Sequence, residues 1–189
     1  MWQIVAVFAM IFLVDGFAKC VVIGSKLKLE YKGMSTGNGS TQNDLSGLIE
    51  RWLNERQELI LLYVAIDGLR QFAPKGTPVS VKVQAFCQVL MDYVSAGHFE
   101  VYDRLITESK GTENQPKQML LRLLSGIQKS TDLAVTFNEI YDTDQHCDEE
   151  LISLPEDLSK LGELLAERFD LEDLLVDACI TAGTVGEPA

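Results

Sequence analysis

Apolar residues recur every three or four positions over four long stretches of this chain. That spacing places them on one side of an α-helix, and no stretch shows the apolar–polar alternation of a half-buried β-strand. The four predicted helices lie at about 44–67, 80–94, 117–141 and 153–183. The connections at 68–78, 111–116 and 142–150 hold glycine, proline or acidic residues. Long helices with short connections predict an all-α fold, an antiparallel four-helix bundle.

The second predicted helix is interrupted by small residues. The segment D-Y-V-S-A-G-H-F-E-V-Y-D-R spans Asp92–Arg104, and the apolar spacing resumes after the small residues at Phe99. We therefore predict that this helix continues beyond Val94 with a bend at Ser95–Gly97.

Helix starts are marked by capping residues. Asn43 is a candidate N-cap for the first helix. Ser153 is a stronger candidate for the fourth, because Pro155 suits the first turn and Glu156 completes a capping box.

The first 33 residues differ from the rest. The apolar start, residues 1–14, is too short to span a bilayer, and Asp15 and Lys19 oppose extending it. We interpret residues 1–33 as an extension from a start codon assigned upstream of Met34, or as a disordered segment. A membrane anchor or signal is the alternative. Residues 34–43 are predicted to be a flexible polar tail, 44–183 the helical domain, and 184–189 a second tail.

The charge balance narrows the choice of partners. The 189 residues include 16 Lys+Arg and 28 Asp+Glu, which gives a net charge of -12. Nucleic-acid binding depends on neutralising phosphates, so direct binding of nucleic acid is not expected. The charge fits a basic partner, or it serves only solubility.

The cysteines and histidines do not form a recognisable catalytic or metal motif. The four cysteines, Cys20, Cys87, Cys147 and Cys179, include no C-x-x-C pair, and we interpret them as reduced cytosolic thiols. The residues three positions before His98 and His146 are Ser95 and Thr143, so the Glu-x-x-His motif of bundle di-iron sites is missing.

We therefore predict no catalysis, no metal and no cofactor. The alternative left open is a metal protein or enzyme that uses His98 with nearby acids. Several acidic residues of the last helix are interpreted as a solvated face; they are Glu163, Glu167, Asp170, Glu172 and Asp173.

The small-residue segment also suggests a docking surface. Asp92, Ser95 and Phe99 fall on one side of a helix, and small residues allow another helix to approach closely. Phe99 is an aromatic anchor of the kind that dominates interface energies, and Asp92 can pair with a basic group. The alternative places Phe99 in the core and makes Ser95–Gly97 a packing notch.

Three segments resemble one known family. The segment F-C-Q-V-L-M-D-Y-V-S-A-G-H-F-E-V-Y-D-R-L, at Phe86–Leu105, is similar to the signature of the Rsd/AlgQ family, the regulators of sigma D. E-R-W-L-N-E-R-Q-E-L-I at Glu50–Ile60 and L-L-A-E-R-F-D-L-E-D-L-L-V at Leu164–Val176 resemble its first-helix and last-helix motifs. The likeness is weak across Lys110–Glu150, and residues 1–33 have no counterpart.

The resemblance implies a cytoplasmic, all-helical and monomeric anti-sigma factor. Such proteins bind region 4 of the primary sigma factor, a basic helix-turn-helix that reads the promoter -35 element and docks on core RNA polymerase. Binding there blocks both contacts and favours alternative sigma factors, especially in stationary phase. Asp92, Ser95 and Phe99 match family positions on the sigma-binding face.

Overall fold

A computed structural model describes residues 39–69, 78–108, 114–143, 145 and 151–184. Within these ranges the chain forms helices and contains no β-strand, which confirms the all-α class. The elements are α1 (Gly39–Leu69), α2 (Val79–Ala96), a π-helical turn (Gly97–Val101), α3 (Tyr102–Glu108), α4 (Asn114–Tyr141) and α5 (Leu154–Thr184).

Adjacent long helices run in opposite directions. In the pair α1 and α2, Trp52 stacks on Tyr93, whereas Tyr63, further along α1, meets Phe86, earlier in α2. Helix α2 also packs on α4, and α4 packs on α5. Each of the four long helices therefore packs on the long helix that follows it in the sequence, as in an up-and-down bundle.

Side chains of α5 close the bundle against α1 and α4. The Tyr63 hydroxyl donates to the Leu158 carbonyl at 3.2 Å, and Arg56 reaches Glu172 at 3.0 Å, so α5 runs antiparallel to α1. Between α4 and α5, Arg168 donates to Ser130, as detailed below.

A line of buried residues with heptad spacing, in alternating steps of three and four, runs along the long helices, as knobs-into-holes packing requires. In α1 they are Leu45, Ile49, Trp52, Arg56, Leu59, Tyr63 and Ile66. In α4 they are Leu123, Ile127, Ser130, Ala134, Phe137 and Tyr141. In α5 they are Leu158, Leu161, Leu165, Arg168, Glu172 and Leu175.

Two apolar residues that lie next to the heptad lines are exposed. Val135 is 38% exposed and Leu174 is 50% exposed. Each lies one position away from the heptad line, where Ala134 and Leu175 take the core position instead. Cys87 is buried in the core and forms no disulfide with any described residue.

The helix ends differ from the predicted ends by a few residues. Helix α1 begins at Gly39, so it includes residues 39–43 of the predicted tail, and Asn43 is not its N-cap. Extending a formed helix costs far less than nucleating one, so polar residues can precede the packed part. Helix α4 begins at Asn114, which places Pro116 in its first turn, where proline is tolerated.

Helix α5 starts as its capping residues predicted. It begins at Leu154, and the carbonyl of Ser153 accepts the N–H groups of Glu156 and Asp157 at 3.0 and 3.1 Å. The predictions for residues 1–38 and for His146 and Cys147 lie outside the described residues. None of the described helices is long and apolar enough to cross a membrane.

Candidate protein-docking site

A π-helical turn lies where the second helix was predicted to bend. The Tyr102 N–H bonds to the Gly97 carbonyl five residues earlier. The buried positions in and after the turn are Gly97, Val101, Tyr102 and Leu105, so two adjacent side chains, Val101 and Tyr102, both enter the core. The chain therefore stays helical through the small residues, and the turn between α2 and α3 is wider than an α-helical one.

The three predicted docking residues are accessible. Asp92 is exposed, Ser95 is half-buried, and Phe99 is 75% exposed. The alternative that put Phe99 in the core is wrong. The packing notch that this alternative also predicted is found at Gly97, which is buried.

His98 supports Phe99 on the surface. The two rings meet edge to face, with centroids 5.0 Å apart and an interplanar angle of 86°. This contact restricts the Phe99 ring before any partner arrives, which lowers the entropy cost of using it as an anchor. Within the described part of the chain, no group of three or more His, Cys, Asp or Glu side chains could hold a metal ion.

Carboxylates of α1, α2 and the π-helical turn lie close enough to interact electrostatically. Burial raises the pKa of Glu55 on α1, and the negative charges of Asp92 on α2 and Glu100 in the π-helical turn raise it further. Arg51 opposes these effects. Asp92 and Glu100 are therefore within electrostatic reach of Glu55. We call Glu55, Asp92, Ser95, Phe99 and Glu100 the acidic face.

Glu55 is the most constrained member of the acidic face. Its side chain is half-buried, and its Oε2 atom is inaccessible to solvent and has no hydrogen-bond partner among the described residues. A buried carboxylate oxygen without a donor is costly, and the like charges nearby add to the cost. A cationic side chain from a partner would relieve both penalties.

A buried network of charges lies behind the acidic face, centred on Glu172 of α5. Its Oε1 accepts from the Tyr102 hydroxyl at 2.5 Å and from Arg168 Nε at 2.6 Å. Its Oε2 accepts from Arg56 at 3.0 Å and from the Tyr93 hydroxyl. Each carboxylate oxygen thus pairs with one arginine and one tyrosine.

The two arginines extend the network across the bundle. Arg56 also donates to Asp173 at 2.5 Å and to the Tyr93 hydroxyl at 3.1 Å. Arg168 donates to Ser130 at 3.2 Å and to Thr131 at 3.0 Å on α4. A third donor of Arg168 reaches the Tyr102 hydroxyl at 2.8 Å. The network therefore joins α1, α2, α3, α4 and α5.

Aromatic rings enclose both guanidinium groups. Arg56 lies 4.9 Å from the Phe169 ring centroid and 5.4 Å from that of Trp52, and Arg168 lies 5.6 Å from that of Tyr93. Desolvation disfavours the buried cation most strongly, but Glu172, Tyr102 and Tyr93 together outweigh it and raise the pKa of Arg168 above its usual value. Burial, with a contribution from Glu172, raises the pKa of both Tyr93 and Tyr102, so both phenols remain proton donors.

This network corrects one prediction. Glu172 and Asp173 were interpreted as part of a solvated face, but both are buried because Arg56 neutralises them. Glu163, Glu167 and Asp170 are exposed, as predicted. The signal that could have revealed the network is the heptad spacing, which continues through Arg56, Arg168 and Glu172 without a break.

Comparisons with known proteins cover most of the chain. Residues 38–180 match the family model described as Regulator of RNA polymerase sigma(70) subunit, Rsd/AlgQ. A regulator of sigma D from Yersinia pseudotuberculosis (strain IP 31758) is 33% identical over 130 residues, which are 68% of this chain and 77% of the relative. No solved structure matches the chain significantly.

Two further regulators of sigma D show similar agreement. The protein of Yersinia enterocolitica is 30% identical over 142 residues, 75% of this chain and 85% of its own length. That of Sodalis glossinidius is 35% identical over 130 residues, 68% of this chain and 85% of its own length. The matched range includes the π-helical turn, the acidic face and the buried network.

Proposed function

This chain belongs to the Rsd/AlgQ family of regulators of the RNA polymerase sigma(70) subunit, and we propose that it is an anti-sigma factor that binds region 4 of the primary sigma factor. Region 4 is a basic helix-turn-helix that contacts the -35 promoter element and core polymerase. A protein bound there blocks both contacts and leaves core enzyme for alternative sigma factors, above all in stationary phase. The chain acts in the cytoplasm as a monomer, by occupying a surface rather than by catalysis, and it needs no cofactor.

The exposed Phe99 ring beside three carboxylates is the observation that carries this proposal. An aromatic side chain that is 75% exposed is costly in the free protein and becomes favourable when a partner covers it. The carboxylates of Glu55, Asp92 and Glu100 give the surrounding surface the sign that a basic helix requires.

The shape of the acidic face suits a helix. Ser95 and Ala96 are half-buried and small, so a partner backbone can come close to α2 at that point. Phe99, one turn further on, can then enter an apolar pocket of the partner. Helix-in-groove recognition combines such a recess with an apolar anchor at helical spacing. Because the same surface repels phosphates, we expect no direct contact with DNA.

Binding of the full chain to an isolated region 4 tests the proposal. The dissociation constant is measured at low salt for the wild type and for Phe99→Ala. Loss of the anchor is expected to cost about 2 kcal/mol, which is about a 30-fold weaker affinity. Ile152→Ala is the matched control, because Ile152 is 94% exposed at the opposite end of the bundle; its affinity should equal that of the wild type.

Competition with promoter DNA tests the mechanism. Duplex DNA that contains a -35 element should compete with the wild-type chain for region 4. Region 4 should not bind the DNA and the chain at the same time. Absence of binding at micromolar concentrations would remove the proposed function. Simultaneous binding of chain and DNA would leave the partner correct but exclude the occlusion mechanism.

A further inference from the structure

The π-helical turn presents two members of the acidic face, Phe99 and Glu100. His98, Phe99 and Glu100 are exposed on it, whereas Gly97 and Val101, at its ends, are buried. π-helical turns are rare and frequently lie at functional sites, and the wider turn forfeits regular α-helical bonding. The turn persists only where neighbouring groups stabilise it, and those groups decide where Phe99 points.

Trp52 of α1 holds the chain on both sides of the turn. Its indole Nε1–H donates to the Tyr93 carbonyl at 3.2 Å, in the last turn of α2. That carbonyl also accepts from the Gly97 N–H, which is shared with the Val94 carbonyl. The indole stacks on the Tyr93 ring at 5.4 Å and meets the Tyr102 ring edge-on at 5.8 Å. One side chain therefore contacts the residues that flank the π-helical turn.

Gly97 allows this close contact. A Cβ at this position would lie 2.9 Å from the Tyr102 hydroxyl and 3.2 Å from Trp52 Nε1. The Gly97 backbone has φ -55° and ψ -53°, which any residue can adopt. Space rather than backbone conformation therefore requires glycine here, and a methyl group would push the two rings apart.

Tyr102 fixes the far end of the turn to the core. Its hydroxyl donates to Glu172 at 2.5 Å and accepts from Arg168 at 2.8 Å. Both of these partners are buried on α5 and are held by the rest of the network. The first residue of α3 is therefore attached to the opposite side of the bundle.

We propose that Trp52, Gly97 and Tyr102 are positioning residues that hold the π-helical turn in the geometry a partner recognises. They do not belong to the exposed surface themselves. They act through Phe99 and Glu100, whose positions depend on the turn. This inference rests on the proposed function, since it assumes that the acidic face binds a partner.

Two variants test the inference through affinity. Gly97→Ala should displace the rings and weaken binding of region 4 by about tenfold, less than full loss of an anchor. Trp52→Phe keeps an aromatic ring but removes the donor to the Tyr93 carbonyl, and should weaken binding in the same direction. Each affinity refers to folded protein, whose fraction is measured by circular dichroism under the binding conditions.

The other end of the bundle offers matched controls. The Tyr63 hydroxyl donates to the Leu158 carbonyl, and a Cβ at Gly162 would collide with that hydroxyl. Tyr63→Phe therefore removes a buried donor to a carbonyl, as Trp52→Phe does, and Gly162→Ala adds a colliding methyl group, as Gly97→Ala does. Both controls should reduce stability and leave the affinity of the folded protein unchanged.

A double-mutant cycle separates positioning from general damage. The Tyr102 hydroxyl is the nearest atom to the methyl group that Gly97→Ala adds. The loss of affinity for region 4 in Gly97→Ala combined with Tyr102→Phe should therefore be smaller than the sum of the two single losses, a non-additive result expected for residues in contact. Amide hydrogen exchange at residues 98–102 should be faster in Gly97→Ala and Trp52→Phe than in either control.

The results distinguish the inference from the proposed function. If the wild type binds region 4 and Trp52→Phe and Gly97→Ala bind equally well, the positioning role is wrong and the proposed function stands. If the wild type does not bind, the proposed function fails, and the inference fails with it. If Gly97→Ala does not fold, Trp52→Phe decides between these outcomes, because it adds no atoms at the crowded site.

Discussion

The glutamates Glu172 and Glu55 lie in opposite hydrogen-bonding environments. Glu172 is fully buried, but each of its oxygens has one arginine and one tyrosine as donors. A carboxylate offers only acceptor sites, so four donors converging on it suit an ionised glutamate. Glu55 is less buried, but one of its oxygens has no donor among the described residues. The depth of burial alone therefore does not decide which carboxylate lacks hydrogen-bond donors.

Replacing Glu172 with glutamine tests the network. Glu172→Gln introduces two N–H donors where donors already converge, and it leaves two buried arginines with one fewer anion. We expect a loss of about 3–5 kcal/mol in the free energy of unfolding, as for other broken buried ion pairs. Urea unfolding measures it. Glu156→Gln is the control: Glu156 pairs with Lys160 at 3.0 Å on the surface, so its midpoint should hardly move. Equal urea midpoints for Glu172→Gln and Glu156→Gln would contradict the stabilising role of the buried network.

Glu55 predicts a pH dependence of stability. Its pKa is raised in the folded protein, first by burial and then by Asp92 and Glu100. The folded state therefore retains a proton that the unfolded chain has released, and the free energy of unfolding falls as pH rises from the ordinary glutamate pKa through the raised one. Glu55→Gln should remove this decrease, so the variant should be more stable than the wild type at neutral pH.

Unfolding in urea at several pH values checks this prediction. The advantage of Glu55→Gln should shrink as the pH falls below the ordinary glutamate pKa. Glu163→Gln, on the exposed side of α5, is the control for the loss of one surface carboxylate. The more stable Glu55→Gln variant should bind region 4 more weakly, since binding sites commonly sacrifice stability for function. A stable variant with unchanged affinity would separate Glu55 from the docking site.

At the scale of the helices, heptad position decides burial more than hydrophobicity does. In α4 the core line passes through Ser130 and Ala134, whereas the larger and more apolar Val135 lies outside it. Ser130 is acceptable there because its hydroxyl donates to the Ile127 carbonyl and accepts from Arg168. A side chain on the heptad line must match its neighbours in size and polarity.

Substitutions at neighbouring positions of α4 test this rule. Ala134→Leu adds volume to a fully buried site and should destabilise the protein by about 1–3 kcal/mol through overpacking. Val135→Leu makes a smaller change on the partly exposed side, and should alter stability by less than about 0.5 kcal/mol. Thermal unfolding measures both changes. A larger loss for Val135→Leu would show that the α4 core line is misplaced.

Helix existence and approximate position could be predicted from sequence because the apolar spacing is long and regular. The start of α5 was also predictable, since Ser153 and Pro155 act locally. The start of α1 was not, because helix propagation past the packed region leaves no apolar signal. The accessibility of Asp92 and Phe99 agreed with their spacing, whereas the involvement of Glu55 depends on how α1 meets α2.

The buried network could not be predicted residue by residue. Arg56 and Glu172 are 116 positions apart, and their pairing follows only from the assembled bundle. Charged residues are usually solvated, so each of them alone favours a surface position. The π-helical turn could not be predicted either, because its stability depends on Trp52, which is far away in the sequence.

At the scale of the whole molecule, the net charge of -12 should speed encounter with a basic partner. Electrostatic attraction between exposed charges is screened as the Debye length falls from about 30 Å at 0.01 M salt to about 3 Å at 1 M. Affinity for region 4 should therefore fall as salt rises, mainly through a slower association rate.

Stopped-flow association at several salt concentrations measures this dependence. Asp92→Asn should reduce the slope of affinity against salt, because it removes one exposed charge of the acidic face. Phe99→Ala should lower affinity by a similar factor at every salt concentration, since it removes apolar contact only. An affinity of the wild type that does not vary with salt would contradict the role given to charge.

Trp52 also gives this molecule an intrinsic optical probe. The chain has two tryptophans, Trp2 and Trp52, and the second is buried against the π-helical turn between Tyr93 and Tyr102. With Trp2 changed to phenylalanine, the remaining indole emission reports on one place alone. Any rearrangement that a captured partner imposes on the turn would appear as a change in fluorescence intensity or wavelength, without an attached dye.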